Sequence, residues 1–237
     1  MRKILLLTGL LLPVFACADV NQDIVQRAFE SIDRDFQEQW AFTESTTSEE
    51  IEQIGRYDPR LPDGERWKLL FVDGREPAED EIEDFQEDKK KDRPRRRGKD
   101  ERGEDEEDER DNAAMVNFET LELIEETGDY WLFSFIPNEE DDDDSKEFMR
   151  QVDGQLKVIK DGHYVEYIDL RNDAPIKPAT GVKISKFVTT ISFGPAVDGG
   201  PIVPLAIDVE VKGRAMLVIK FDTAETIRYS DFEYAGI

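Results

Sequence analysis

Apolar residues recur along this chain with two different periods. From Asn21 to about Gln37, Ile24, Val25, Ala28, Phe29, Ile32 and Phe36 fall at three- and four-residue spacing, which predicts an amphipathic helix that packs on something else. Trp40–Thr47 and Arg66–Val72 are rich in aromatic and β-branched residues and predict strands, the second ended by the Asp73-Gly74 turn. Ala78–Phe85 then predicts a short helix whose opening acids suit a helix N-terminus.

From Ala114 onward the pattern becomes strand-like and is punctuated by turns. The runs are Val116–Glu125, Tyr130–Ile136, Lys146–Val152, Leu156–Lys160, His163–Arg171, Val182–Phe193, Ile202–Val211, Ala215–Phe221 and Thr226–Tyr234. Thr127-Gly128-Asp129, Asp153-Gly154 and Asp161-Gly162 sit between runs as hairpin signals. Within runs, one side is apolar: Trp131, Phe133 and Phe135 share a side, as do Leu205, Ile207, Val209 and Val211, with Met216 and Val218 continuing the pattern. One dry face and one wet face mark an antiparallel sheet. The expected fold is α+β. It is a strongly curved antiparallel sheet of about 9–11 strands, an open or half barrel, with one or two helices on its concave face.

Residues 88–112 break the pattern. Of 25 residues, 10 are basic and 11 acidic, and Pro94, two glycines and Asn112 complete the set. Nothing there can bury apolar surface against the entropy of ordering, so a disordered charged insertion is expected within a single domain spanning 19–237. Lys89–Arg97 is basic and Glu104–Asp111 acidic, which allows the halves to fold back on each other.

The N-terminus changes the picture of compartment. Arg2 and Lys3 precede an apolar run from Ile4 to Phe15, the layout of an export signal over residues 1–18, and too short to span a bilayer. Two processing routes compete. Ala16-Cys17-Ala18 fits cleavage after Ala18 and release to the periplasm or exterior. Val14-Phe15-Ala16-Cys17 loosely fits a lipobox that would acylate Cys17 and tether the protein to a membrane. Either way no internal disulfide can form, and a hydrophobic core must hold the domain together.

The formal net charge is −25, and loss of Arg2 and Lys3 with the leader takes it to −27. Such a chain repels nucleic acid. The acidic run from Asn138 to Ser145 offers many oxygens but lacks the glycine-bearing loop of a calcium hand. No nucleophile elbow, His-Glu-x-x-His or phosphate loop is present, and His163 is the lone histidine. No enzymatic activity, cofactor or metal is expected. Trp40, Trp67 and Trp131 fall on strands, where they either fill the core or line a cavity for acyl chains. On the second reading Trp40, Phe42, Trp67, Leu69, Trp131 and Phe133 are the candidate lining residues.

The order of elements, together with Asp63–Gly74 as an early strand and turn and Ile227–Phe232 as a last strand, resembles the lipoprotein-localisation carriers, the LolA/LolB-like periplasmic proteins. The resemblance implies carriage of a lipid or an acylated protein. It transfers no functional residue, and the charged insertion departs from the plain carriers. The alternative from another class is an envelope protein–protein interaction module with a packed core and no ligand.

Overall fold

The computed structural model describes residues 16–91, 112–138, 143–178, 180–216 and 219–236. Its ten strands are β1 (Trp40–Ser48), β2 (Glu52–Tyr57), β3 (Trp67–Val72), β4 (Glu122–Glu126), β5 (Tyr130–Phe135), β6 (Asp153–Ile159), β7 (Tyr164–Arg171), β8 (Val182–Pro195), β9 (Ile202–Ala215) and β10 (Ile219–Tyr234). They form one antiparallel sheet in the order β3-β2-β1-β10-β9-β8-β7-β6-β5-β4. Every neighbouring pair is consecutive in sequence except β1 and β10, where Trp40 lies opposite Tyr234. The sheet is therefore a meander whose first and last strands pair. It stays open between its edge strands, β3 and β4.

Register sorts residues by face. Phe133, Leu156, Ile168, Ile191, Ile207 and Ile227 stand opposite one another across β5 to β10, an apolar row six strands wide. One residue along, on the other face, runs Ser134, Gln155, Asp169, Thr190, Asp208, Thr226, Thr47 and Glu52, polar at every strand from β5 to β2. Side chains alternate across a pleated strand, so the alternation in sequence and these two rows are one fact.

Helices cover parts of the apolar face. α1 (Ala16–Glu30) packs on β7 and β4 and buries Val25, Ala28 and Phe29 against Phe133, Leu156, Val158, Val165 and Ile168. The expected single helix to Gln37 is instead broken. Asp33 accepts from the Asp35 backbone N–H, a local turn that competes with helix. Ile32 bridges to Ile202 at the start of β9. The chain resumes as α2 (Phe36–Gln39), which carries Phe36 into a second, aromatic cluster.

α3 (Glu79–Lys91) packs on β3 and runs beyond the expected end at Phe85. Lys89, read from composition as part of the charged insertion, is an inward-facing residue of this helix; residues 92–111 lie outside the described residues. Two further expectations need correction. Lys146–Val152 contains no strand: α4 (Asp143–Met149) is helical, and Phe148 meets Phe187 edge-on at 5.0 Å. Phe148, Met149 and Val152 approach the first cluster at helical spacing. Ala215–Phe221 is not a separate strand either. It straddles the turn between β9 and β10, where Met216 adopts φ 49° and is exposed instead of continuing the apolar side.

β2 was not expected at all. Gly55 weakens its sequence signal, and the structure supplies the reason for glycine. A Cβ there would stand 2.7 Å from Phe85 Cζ, the ring by which α3 docks. The same device recurs where the Phe135 ring lies over its cross-strand partner Gly154.

Gly55→Ala should therefore cost about 1–3 kcal/mol by overpacking. Gly128→Ala, which meets nothing within 4 Å, is the control, and both are read by urea denaturation. A second prediction concerns the start of α3. Glu81 accepts from the Ala78 backbone N–H at 2.7 Å and from both Arg75 terminal nitrogens at 2.8 and 2.6 Å, a half capping box locked by a guanidinium. Hydrogen bonds from Arg75, then from Ala78, hold the Glu81 carboxyl at about 2 against an ordinary 4.5. A depressed carboxylate stabilises the fold above its unfolded value, and that contribution is lost as pH falls from 4.5 through about 2. In Arg75→Ala the Glu81 side-chain carboxyl, followed by NMR, should titrate closer to 4.5.

Candidate ligand-binding face

The six candidate lining residues fall into two groups. Phe42 is fully buried among Phe36, Tyr57, Trp67, Tyr229 and Phe232, with ring centroids 5.1–6.0 Å away. Trp40 joins this cluster and meets Tyr234 edge-on at 5.4 Å. Leu69 is buried with Val72 and Phe85 under α3, and Trp67 touches both clusters. Trp131 and Phe133 lie on β5, separated from β1 by five intervening strands. Phe133 is fully buried in the α1 cluster. Trp131 is half-buried, with Lys160 Nζ 4.5 Å from its ring centroid and the His163 ring edge-on at 5.8 Å.

His163 itself ties the sheet to the helix: its Nε2 donates to the Ile24 carbonyl of α1 at 3.0 Å. That carbonyl fixes the ring and gives a structural reason for the single histidine.

The strands between the two groups include β8, β9 and β10. There Ile191, Ile207, Val209, Val211 and Ile227 share the apolar face and are only half-buried. Ile207, Val209, Val211 and Ile227 belong to none of the three buried clusters. Most helical cover sits elsewhere, with α1 on β7 and β4, α2 on β1 and α3 on β3, while α4 reaches β8 through Phe148 on Phe187, the residue opposite Val211. The alternation Leu205, Ile207, Val209, Val211 was visible in sequence. What sequence could not show is that this stretch receives less cover than its aromatic neighbours.

Three charged arrangements lie near these strands, one on the apolar face and two on the reverse face. Next to Thr46, the β1 residue opposite Ile227, Glu44 follows on the same face and is buried under α3, where Lys89 Nζ reaches it at 2.6 Å. On the reverse face, Thr190 and Arg171 donate to the buried Asp169. Thr226 and Arg228 donate to Asp208 at 2.8–3.0 Å. Burial pushes the Asp208 carboxyl up, but the Arg228 and Thr226 hydrogen bonds outweigh it and hold the carboxyl below the usual range. Asp208 is spent on partners across the β9–β10 pair, and Asp169 on Thr190 of β8 and on Arg171 of its own strand.

Among the described residues no group of three or more histidine, cysteine or carboxylate side chains is arranged to hold a metal ion. An open depression of about 530 Å³ lies over α4 between Lys146, Glu147, Arg150 and Gln151, and it includes none of the six candidates. No helix among the described residues is long and apolar enough to cross a membrane. Residues 1–15, most of the expected export signal, lie outside the described residues, and Cys17 falls in the backbone of α1. No family model, no curated protein and no solved structure matches this chain.

Proposed function

We propose that the protein is an exported, non-enzymatic binding or carrier protein of the cell envelope that takes up a lipid or acyl chain on the central strands of its sheet. The observation that carries this reading is the half-buried strip of Ile191, Ile207, Val209, Val211 and Ile227 on a face that helices cover in part. A methylene chain laid along it would replace water on branched aliphatic surface, at about 0.8 kcal/mol per buried CH₂. Phe42 and Phe133, fully buried, would brace the sheet on either side, with Trp67 and Trp131, half-buried, farther out on β3 and β5. The export signal and the strongly acidic composition agree with a role outside the cytoplasm, either released after Ala18 or tethered through an acylated Cys17.

One observation favours the interaction-module alternative. β4 ends the sheet, all five of its residues are exposed, and Leu123 and Ile124 are among them, so an added strand has a free ladder to pair with.

Native mass spectrometry with lipid extraction separates the two. The carrier predicts co-purifying fatty acid or phospholipid, lost in a folded Ile207→Asp/Val209→Asp variant. A wild-type mass without ligand, and no uptake of added lipid, would overturn the carrier and leave strand addition at β4. The same spectrum reads whether the chain starts at Asp19 or at an acylated Cys17.

A further inference from the structure

Lys89 is a charged side chain near the end of a helix, and it is inserted where a small cation would bind. Its Nζ lies 2.6 Å from Glu44 Oε1, 4.5 Å from the Trp67 ring centroid and 5.6 Å from that of Phe85. The Glu44 side chain is 8% exposed and that of Lys89 17%. A carboxylate so far out of water needs a cation beside it, because an unpaired buried charge is costly. Aromatic faces add attraction for ammonium groups that have shed their hydration. One carboxylate with two ring faces is the chemistry that recognises organic ammonium ions.

The rest of α3 does not rely on Lys89. Arg75 and Ala78 hold its first turn through Glu81. Phe85 seats its middle over Gly55, and Gln86 donates to the Trp67 carbonyl. Lys89 lies one turn beyond Phe85 and Gln86 on α3, and its ion pair is formed by the tip of a long side chain. Its flexible stem can leave the site while the helix stays docked.

We propose that Glu44, Trp67 and Phe85 form a binding site for an organic ammonium group, occupied in cis by Lys89, which an external alkylammonium displaces. The site stands independently of the acyl-chain reading. The ammonium could belong to a free cation or to a lipid headgroup, and both share this chemistry.

The test is a titration of the full mature protein with choline chloride, against sodium chloride at matched ionic strength, followed by calorimetry and tryptophan fluorescence. Lys89→Met keeps the stem and removes the plug. It should bind choline roughly tenfold tighter than wild type, and adding Glu44→Gln should abolish that binding. The double variant carries neither charge, so a native circular-dichroism spectrum for it makes the loss interpretable. A short-chain phosphocholine amphiphile supplies the second arm. Tighter binding than choline, lost on Ile207→Asp, identifies a lipid headgroup; equal affinity identifies a free cation; either supports the site. No saturable choline binding by folded Lys89→Met overturns the proposal. So does binding unaffected by Glu44→Gln. Binding by the variant with none by wild type also overturns it, because Lys89 would then be a permanent ion pair and not a displaceable plug.

Discussion

The pairing of the first strand with the last organises this protein. β4 to β10 run as a meander, and β1, β2 and β3 join its sheet through the ladder from Trp40↔Tyr234 to Ser48↔Glu225, which Arg56 and Arg60 reinforce by bonding to Asp231 and Glu233 of β10. That ladder brings Phe42 beside Tyr229 and Phe232, creating the aromatic cluster. It also places Glu44 and Gly55 where α3 can dock. The ladder absorbs one irregularity between Ala41 and Thr43; from Thr43 to Ser48 its register is regular, and a slip of one residue there would turn Glu44 to the wet face.

The long connection from β3 to β4 crosses between the two edges of the sheet. It holds α3, whose docking is guarded at three points: the carboxylate lock of Glu81, the Phe85 ring on Gly55, and the Lys89 ion pair. These three differ in kind. The first is exposed and acid-sensitive, the second is steric, and the third is a buried charge that must always have a partner. A helix held this way stays in place while its last anchor remains exchangeable.

Much of the architecture was legible in sequence because its cause is local. Alternation in Tyr130–Ile136, His163–Arg171 and Ile202–Val211 identified strands, in the first and third also their dry side, and the 3.6-residue stripe from Ile24 to Phe36 named the buried residues of α1 and α2. Failures arose where a distant contact decides. Gly55 is needed because of Phe85, thirty residues away, so β2 looked too weak to be a strand. Lys89 sits in a run of charges, and only Glu44 and Trp67, brought in by the sheet, give it a place in the interior. The half-buried strip was legible as apolar residues but not as exposed ones, since exposure depends on which strands the helices cover. The large aromatics attracted attention as cavity walls, yet Phe42 and Phe133 are spent on packing with their own neighbours.

The central claim is that the central strands, and not the sheet edge, meet the ligand. Methyl NMR of the protein titrated with a spin-labelled stearate tests it most directly. The account predicts selective broadening of Ile191, Ile207, Val209, Val211 and Ile227 methyls, reversed when the label is reduced. No broadening, or broadening confined to Leu123 and Ile124 on β4, would contradict it.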